Sequence, residues 1–347
     1  MSNPFFSILV TVYNTEKYLS RALDSCLLQS FKNIEIIVVN DCSTDSSAEI
    51  LKEYEKNDSR ITVITYEKNS GALLTRKTAM EKATGEYILF LDSDDYLELT
   101  ACETLFNKLI ISSCDILEFG YMHEPTGLKI YPDKRIENRF ELLFDVQNPL
   151  SHTLWNKAYK KEIIKLVQEI KEPVYLNFFD DCYLAVLFNA FTKNFLTIDS
   201  ILLHYSILEG LSNSKKFTEE QLLKNIHYLK TLKTCLSNFL LKNQQDKQYD
   251  LSIYLNRCYS YQYDRILQSD NSLFYKSQLV TILDNTFNTD YINKMQEYFE
   301  EIERKAKLYD NFVNSIFIKR LYLFLSYNYH AFIKVIKSRF FKKDIIC

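Results

Sequence analysis

Apolar and polar positions follow two alternating periods over the first hundred residues. The stretches 5–14 (FFSILVTVYN), 34–41 (IEIIVVND), 61–68 (ITVITYEK) and 86–92 (EYILFLD) are short apolar, β-branched runs, the pattern of strands covered on both faces. Between them, 15–30, 43–58 and 72–84 carry apolar residues at helical spacing. In the first, Leu19, Ala22, Leu23, Cys26 and Leu27 share a face, and Gly85 stops the third. Such alternation with short connections predicts parallel strands joined by right-handed crossovers, with ligands bound beyond the carboxyl ends of the strands. From 100 to 215 the pattern is mixed. It predicts helices over 100–112, 153–167 and 180–192, strands over 115–121 and 195–207, and a loop around Pro125, Gly127 and Pro132. Beyond 216 glycine and proline vanish and Tyr, Leu and Lys recur at helical spacing. The expected organisation is an α/β domain over 1–215 and a helical domain over 216–347.

Composition narrows the function. The chain has 347 residues, with 42 Lys+Arg against 45 Asp+Glu, a balance that argues against nucleic acid as partner. No apolar run reaches the roughly 20 residues of a membrane span, and residues 1–6 lack the basic region of a secretory signal. The eight cysteines are scattered without a CxxC pair, so reduced thiols in a cytoplasmic protein are expected, and no zinc site. Five glycines in all, Gly71, Gly85, Gly120, Gly127 and Gly210, allow neither GxGxxG nor a P-loop.

The chemistry gathers at strand ends: Tyr13-Asn14, Asn40-Asp41, and above all Asp92-Ser93-Asp94-Asp95. An EF-hand does not fit the last of these, because Tyr96 and Leu97 occupy loop positions five and six and a strand precedes the motif. A phosphatase nucleophile would usually stand on the first strand, whereas this motif follows three strand–helix units. A solvated acidic loop does not explain why charge ends a buried strand. A divalent-cation site holding a nucleotide diphosphate explains both the carboxylates and the missing glycines, since Mg2+ or Mn2+ binds through one or two carboxylates plus substrate phosphates. Alternate positions put Asp92 and Asp94 on one side and turn Ser93 away.

In order and spacing, SILVTVYNTEKYL, IEIIVVNDCSTDSSAEIL and TRKTAMEKATGEYILFLDSDDYL resemble the family 2 inverting glycosyltransferases of the GT-A fold, strongly over 5–98 and more weakly to about 215. The resemblance implies a UDP-sugar donor, transfer with inversion and a metal-binding DxD motif. Matched by position, Thr11, Val12 and Tyr13, with Asn14 beside them, line the base pocket. Asp41 meets the uracil edge, and Asp45 and Arg76 lie near the nucleotide. Asp92 and Asp94 form the DxD pair around Mn2+ or Mg2+, and Ser93 and Asp95 join the donor site, Asp95 facing the sugar hydroxyls. The chain departs from the family pattern at Thr11 or Val12, often Pro, at Cys42, often Gly, and at Lys77, often Asn. Asp41 and Asp45 are also placed to cap the helix starting near Ser43, and Arg76 could equally be a solvated helix residue.

Inversion needs a base for the acceptor hydroxyl. The family usually carries it in an acidic pair at a helix start, here Asp180-Asp181, with Asp181 the base and Asp180 its neighbour; N-capping by Asp180 is the simpler alternative. Lys157 matches a family position near the active site, and Trp155 suits stacking on the acceptor sugar or burial in the core. His204, after the apolar run 198–203, is either a third metal ligand, as in some related enzymes, or structural. Ser212 and Ser214 resemble a segment that closes over the diphosphate.

Residues 317–347 carry seven Lys/Arg and one Asp among Phe, Tyr, Leu and Ile. This suits peripheral contact with an anionic membrane at the inner cytoplasmic face, or a solvated basic face of a packing domain. The expected activity is transfer of a hexose or N-acetylhexosamine from a UDP-sugar to a glycan or lipid-linked acceptor in a bacterial surface glycan such as lipopolysaccharide or capsule. The rivals are a sugar nucleotidyltransferase and a non-catalytic assembly partner of the same fold. Whether the chain forms a homo-oligomer is left open.

Overall fold

The computed structural model describes residues 3–145, 150–171, 175–206, 217–243, 249–269 and Leu279. The expected strand–helix units are present: β1 (Phe6–Val12), α1 (Glu16–Leu27), β2 (Ile34–Asn40), α2 (Ser47–Asn57), β3 (Ile61–Thr65), α3 (Ala72–Lys82) and β4 (Tyr87–Asp92). There follow β5 (Tyr96–Leu97), α4 (Ala101–Leu109), β6 (Ile116–Glu124), β7 (Leu128–Ile130), α5 (Arg139–Leu142), β8 (Lys157–Lys160), α6 (Lys161–Gln168), α7 (Asp180–Phe191) and β9 (Phe195–Ser206). Two longer helices, α8 (Glu219–Lys242) and α9 (Leu251–Gln268), complete the described elements.

The strands form one sheet in the order β3-β2-β1-β4-β8-β6-β9-β5, with β7 beside β6. β1 lies parallel to β2 and β4, and its register pairs Thr11 with Asp92 and Val12 with Asn40. The polar strand tips therefore meet on one edge, as the crossover topology requires. Ile8, Val10, Ile36, Val38, Leu89 and Leu91 are sealed against α1 and its neighbours, which accounts for the near-continuous apolar runs. Gly85 is dictated by closeness rather than by helix ending: a Cβ there would sit 2.6 Å from the Ser7 amide nitrogen.

The expected helix over 153–167 is corrected. Its first part is β8, inserted antiparallel between β4 and β6, and only Lys161–Gln168 is helical. Ala158 and Tyr159 are buried within the sheet, and a short apolar run reads as helix or strand until its neighbours decide. By contacts the chain divides into two units, one of 1–214 with 227–259, the other of 215–226 with 260–347. Within the second, Asn225 Nδ2 donates to Gln262 Oε1 at 2.8 Å. Among the described residues no helix is long and apolar enough to cross a membrane. Ser212, Ser214 and the basic stretch 317–347 lie outside the described residues.

Candidate active site

Two acidic groups distant in sequence are joined by one arginine. Arg76, on α3, donates from Nη2 to Asp92 Oδ1 at 2.9 Å and from Nε to Asp180 Oδ2 at 2.7 Å. Its side chain is 9 % exposed. Burial alone would pull the guanidinium pKa down, but Asp92 and Asp180 hold it above its ordinary value, so it stays charged. Burial lifts the Asp180 carboxyl above its usual range, although Arg76 pulls the other way. The solvated-helix alternative for Arg76 is thereby excluded.

The turn after β4 distributes its side chains unequally. The Asp95 amide donates to the Asp92 carbonyl at 3.0 Å. Ser93 is buried and accepts a hydrogen bond from Thr15 Oγ1 at 2.8 Å, which corrects its expected contact with the donor: the side chain ties α1's start to the turn. Asp95 is 1 % exposed, and its Oδ1 accepts from the Ser206 amide at 2.7 Å. Its side chain therefore faces β9 rather than a sugar, and burial, then Asp94 and Asp92, drive its pKa well above the usual range. Asp94 is different. Among the described residues no side chain hydrogen-bonds its carboxylate, and burial followed by the charge of Asp92 pushes its pKa up to about 6. Arg21 Nη2 donates to the Asp94 carbonyl and to Ser206 Oγ, both at 2.7 Å, while its guanidinium lies over the Tyr96 ring. No motif in the sequence singles out Arg21; it is one of several charges on the exposed side of α1.

The N-terminal candidates divide between site and scaffold. Thr11 and Tyr13 are half-buried at the tip of β1. Val12 is 1 % exposed and part of the core, so only its backbone reaches the edge. Asn14 holds φ 54° and accepts from the Thr44 amide at 2.7 Å. Asp41 is buried, and its two oxygens accept from the Ser70 and Gly71 amides at 2.6 and 2.9 Å. It holds the entry of α3 rather than capping α2. Asp45 joins two helix starts, accepting from the Glu16 and Ser47 amides at 3.0 Å each. Burial raises its pKa, but these bonds outweigh that and hold it below the ordinary value.

Asp181, one residue after Asp180, is 38 % exposed against 10 % for its neighbour. Its Oδ1 accepts from the Cys182 amide at 2.7 Å, and Oδ2 lies 3.9 Å from His152 Nε2. His152 was not foreseen, because it sits in an irregular loop with no motif around it. His152, Asp181 and Cys182 could in principle gather round a metal. The Cys182 sulfur is buried against Cys258 Sγ at 3.7 Å, and burial holds its thiol pKa well above the ordinary value.

Two further expectations are corrected. Lys157 is 2 % exposed and paired with Glu118 at 3.1 Å, with Arg139 on the other Glu118 oxygen at 2.7 Å; it anchors β8 beneath the sheet edge and does not reach a nucleotide. His204 directs Nε2 to Glu98 at 2.7 Å and Nδ1 to Glu124 at 3.0 Å, and stacks on Tyr96. Both nitrogens are thus taken, leaving none to ligate a cation. Trp155 is half-buried, with Tyr205 stacked at 5.1 Å and Tyr121 edge-on at 4.5 Å.

The chain resembles known proteins in sequence and in fold. The sequence profile of glycosyl transferase family 2 matches residues 7–169. The glycosyltransferase GlyA of Streptococcus pneumoniae is 33 % identical over 253 residues, 67 % of this chain but only 34 % of GlyA. A glycosyltransferase of Haemophilus influenzae is 34 % identical over 187 residues, 52 % of this chain and 73 % of that protein. Among solved structures, residues 1–349 of TarS from Staphylococcus aureus in complex with UDP-GlcNAc superpose with a TM-score of 0.54 at 20 % identity, covering 81 % of this chain and 72 % of that one. The fold is that of the GT-A enzymes, and the chain belongs to glycosyl transferase family 2.

Proposed function

We propose that this enzyme transfers a hexose or N-acetylhexosamine from a UDP-sugar to a glycan or lipid-linked acceptor, with inversion at the anomeric carbon. The observation that carries the proposal is the Arg76 bridge, which sets the strand-tip carboxylates beside the acidic pair of α7. The UDP-GlcNAc bound by TarS supports a uridine donor.

The donor set suits a hard divalent cation. It offers oxygen ligands only, and burial together with the charge of Asp92 pushes Asp94 up to about 6, a strain that a bound cation relieves. Asp94 would hold Mn2+ or Mg2+, with the remaining oxygen of Asp92 beside it. When bound, the ion neutralises charge on the departing diphosphate.

The chain's own groups do the rest. Asp181, the more exposed of the pair, takes the proton from the acceptor hydroxyl. The freed oxygen pair forms the bond to the anomeric carbon as the bond to the diphosphate oxygen breaks, and UDP leaves. Asp180, held by Arg76, fixes the start of α7 and thereby the base. Arg76 Nη1 is buried without a hydrogen-bond partner in the protein. Thr11 and Tyr13 flank the base, and Trp155 with Tyr205 forms the wall against which the acceptor lies. A lipid-linked acceptor would place the enzyme at the inner face of the cytoplasmic membrane.

The test is thermal denaturation of the full chain with Mn2+ and a panel of UDP-, GDP- and CMP-sugars, with Asp94→Ala as control. UDP-sugars should stabilise the protein and Asp94→Ala should abolish the effect. Stabilisation by GDP- or CMP-sugars alone would overturn the uridine donor.

A further inference from the structure

The Asp94–Asp95 peptide is held at both of its polar groups. Its N–H donates to the Asp92 carbonyl at 3.0 Å, and its carbonyl accepts from Arg21 Nη2 at 2.7 Å. The same Nη2 donates to Ser206 Oγ at 2.7 Å, and the Ser206 amide donates to Asp95 Oδ1 at 2.7 Å. Arg21 therefore ties three elements together: α1, the turn after β4 and the last residue of β9. α1 grips that turn a second time through Thr15, whose Oγ1 donates to Ser93 Oγ. A side chain leaves its Cα in a direction set by the peptides on either side. Holding this peptide therefore restricts where the Asp94 carboxylate is aimed, although no side chain among the described residues hydrogen-bonds the carboxylate itself.

Arg21 is itself held in place. Its guanidinium lies 4.5 Å from the centroid of the Tyr96 ring, a cation–π contact. Tyr96 and His204 are partners in the β5–β9 ladder, and their rings stack at 4.3 Å, 7° from parallel. Glu124 Oε1 accepts from the Tyr96 hydroxyl at 3.1 Å and lies 3.0 Å from His204 Nδ1, while Glu98 holds His204 Nε2. His204, unavailable as a ligand, thus fixes the ring on which Arg21 rests. A cation beside a divalent-metal site is unexpected on charge alone, because like charges repel. Both acceptors of Arg21 Nη2, a carbonyl and a hydroxyl, are neutral. What the arginine supplies there is placement rather than compensation of a carboxylate.

We propose that Arg21 is a positioning residue of the donor site: by clamping the Asp94–Asp95 peptide to the end of β9, it fixes the direction in which the Asp94 carboxylate meets the divalent cation. This rests on the role given above to Asp94 as a cation ligand. The test is Mn2+ binding to the full chain in the presence of UDP, read from the electron paramagnetic resonance signal of free Mn2+. The proteins compared are the parent, Arg21→Met, Ser206→Ala and Asp94→Ala, each with its melting temperature measured without metal. The direction of the change separates the alternatives. Were Arg21 to act through its charge alone, Arg21→Met would remove a repulsion and Mn2+ would bind more tightly. Were it only a brace for the fold, the melting temperature would fall and the affinity would stay. Positioning predicts binding about tenfold weaker in Arg21→Met, the low end of the roughly 10- to 100-fold typical of groups that orient metal ligands. Ser206→Ala keeps the charge and removes one anchor; it should weaken binding by a smaller factor in the same direction, and it serves if Arg21→Met does not fold. Unchanged or tighter binding in Arg21→Met, with Asp94→Ala impaired, would overturn the positioning role and leave the cation site standing. A parent that binds no Mn2+, or an Asp94→Ala that binds it as the parent does, would overturn the cation site and this proposal with it.

Discussion

Arg76 Nε and Asp180 Oδ2 meet at 2.7 Å across 104 residues of sequence, and the same guanidinium holds Asp92. Removing the cation would leave a carboxylate buried without its counter-charge. Arg76→Ala should therefore cost about 3–5 kcal/mol, the range for breaking one side of a buried pair. The double variant Arg76→Met/Asp180→Asn should recover much of that loss. Urea denaturation of the parent, Arg76→Ala, Arg76→Met, Asp180→Asn and the double variant measures this, and losses in the double variant equal to the sum of its two singles would refute the coupling.

Asp181→Asn should lower transfer about 10²- to 10⁴-fold, the usual contribution of a general base, while UDP-sugar affinity stays within a factor of two or so, since no binding contact with the donor is assigned to it. Rates of transfer and of UDP-sugar hydrolysis, beside donor titrations, separate the two quantities. Retained turnover with weakened donor binding would remove Asp181 from the base role.

Asp45 offers a pH test independent of catalysis. Its carboxylate takes two amide bonds at the starts of α1 and α2, and its folded pKa lies below the ordinary value. A depressed carboxylate stabilises the fold above its unfolded pKa, about 3.9, and loses that contribution as pH falls through the folded value. Asp45→Asn should cost about 1–2 kcal/mol at pH 7. The gap in melting temperature from the parent should close below pH 4; a constant gap from pH 7 to 3 would contradict the assignment.

Cys42 adopts φ 61°, a left-handed region that costs a side chain roughly 1–2 kcal/mol. Glycine loses about 0.5–1 kcal/mol of that gain to chain entropy. Cys42→Gly should thus raise the melting temperature by a few degrees, less whatever the Sγ contact with the Glu67 carbonyl contributes. A clear fall would show that contact to be dominant.

Much of this was legible in the sequence because period and chemistry agreed. The β1–β4 runs are apolar on both faces, and the polar tips follow from parallel topology, so the edge carrying Asp92 and Asp94 could be located. Side-chain direction at turns could not. Ser93, Asp95 and Asp41 stand at the expected edge, yet each turns into the protein, because a backbone amide or hydroxyl claims it. Lys157 and His204 failed for a related reason: their partners Glu118, Glu98 and Glu124 come from segments with no motif of their own. β8 was hidden because a short apolar run acquires its identity from the strands on either side.

The entry to α3 has one more effect. The Leu73 amide donates to the Leu176 carbonyl and the Ala72 amide to Asn177 Oδ1, just before the acidic pair. α3 thus gauges how far the strand-tip carboxylates and the acidic pair of α7 stand apart, independently of the chain length that separates them. Chain could be added or removed between β5 and α6 while the spacing of these acidic groups stays as it is.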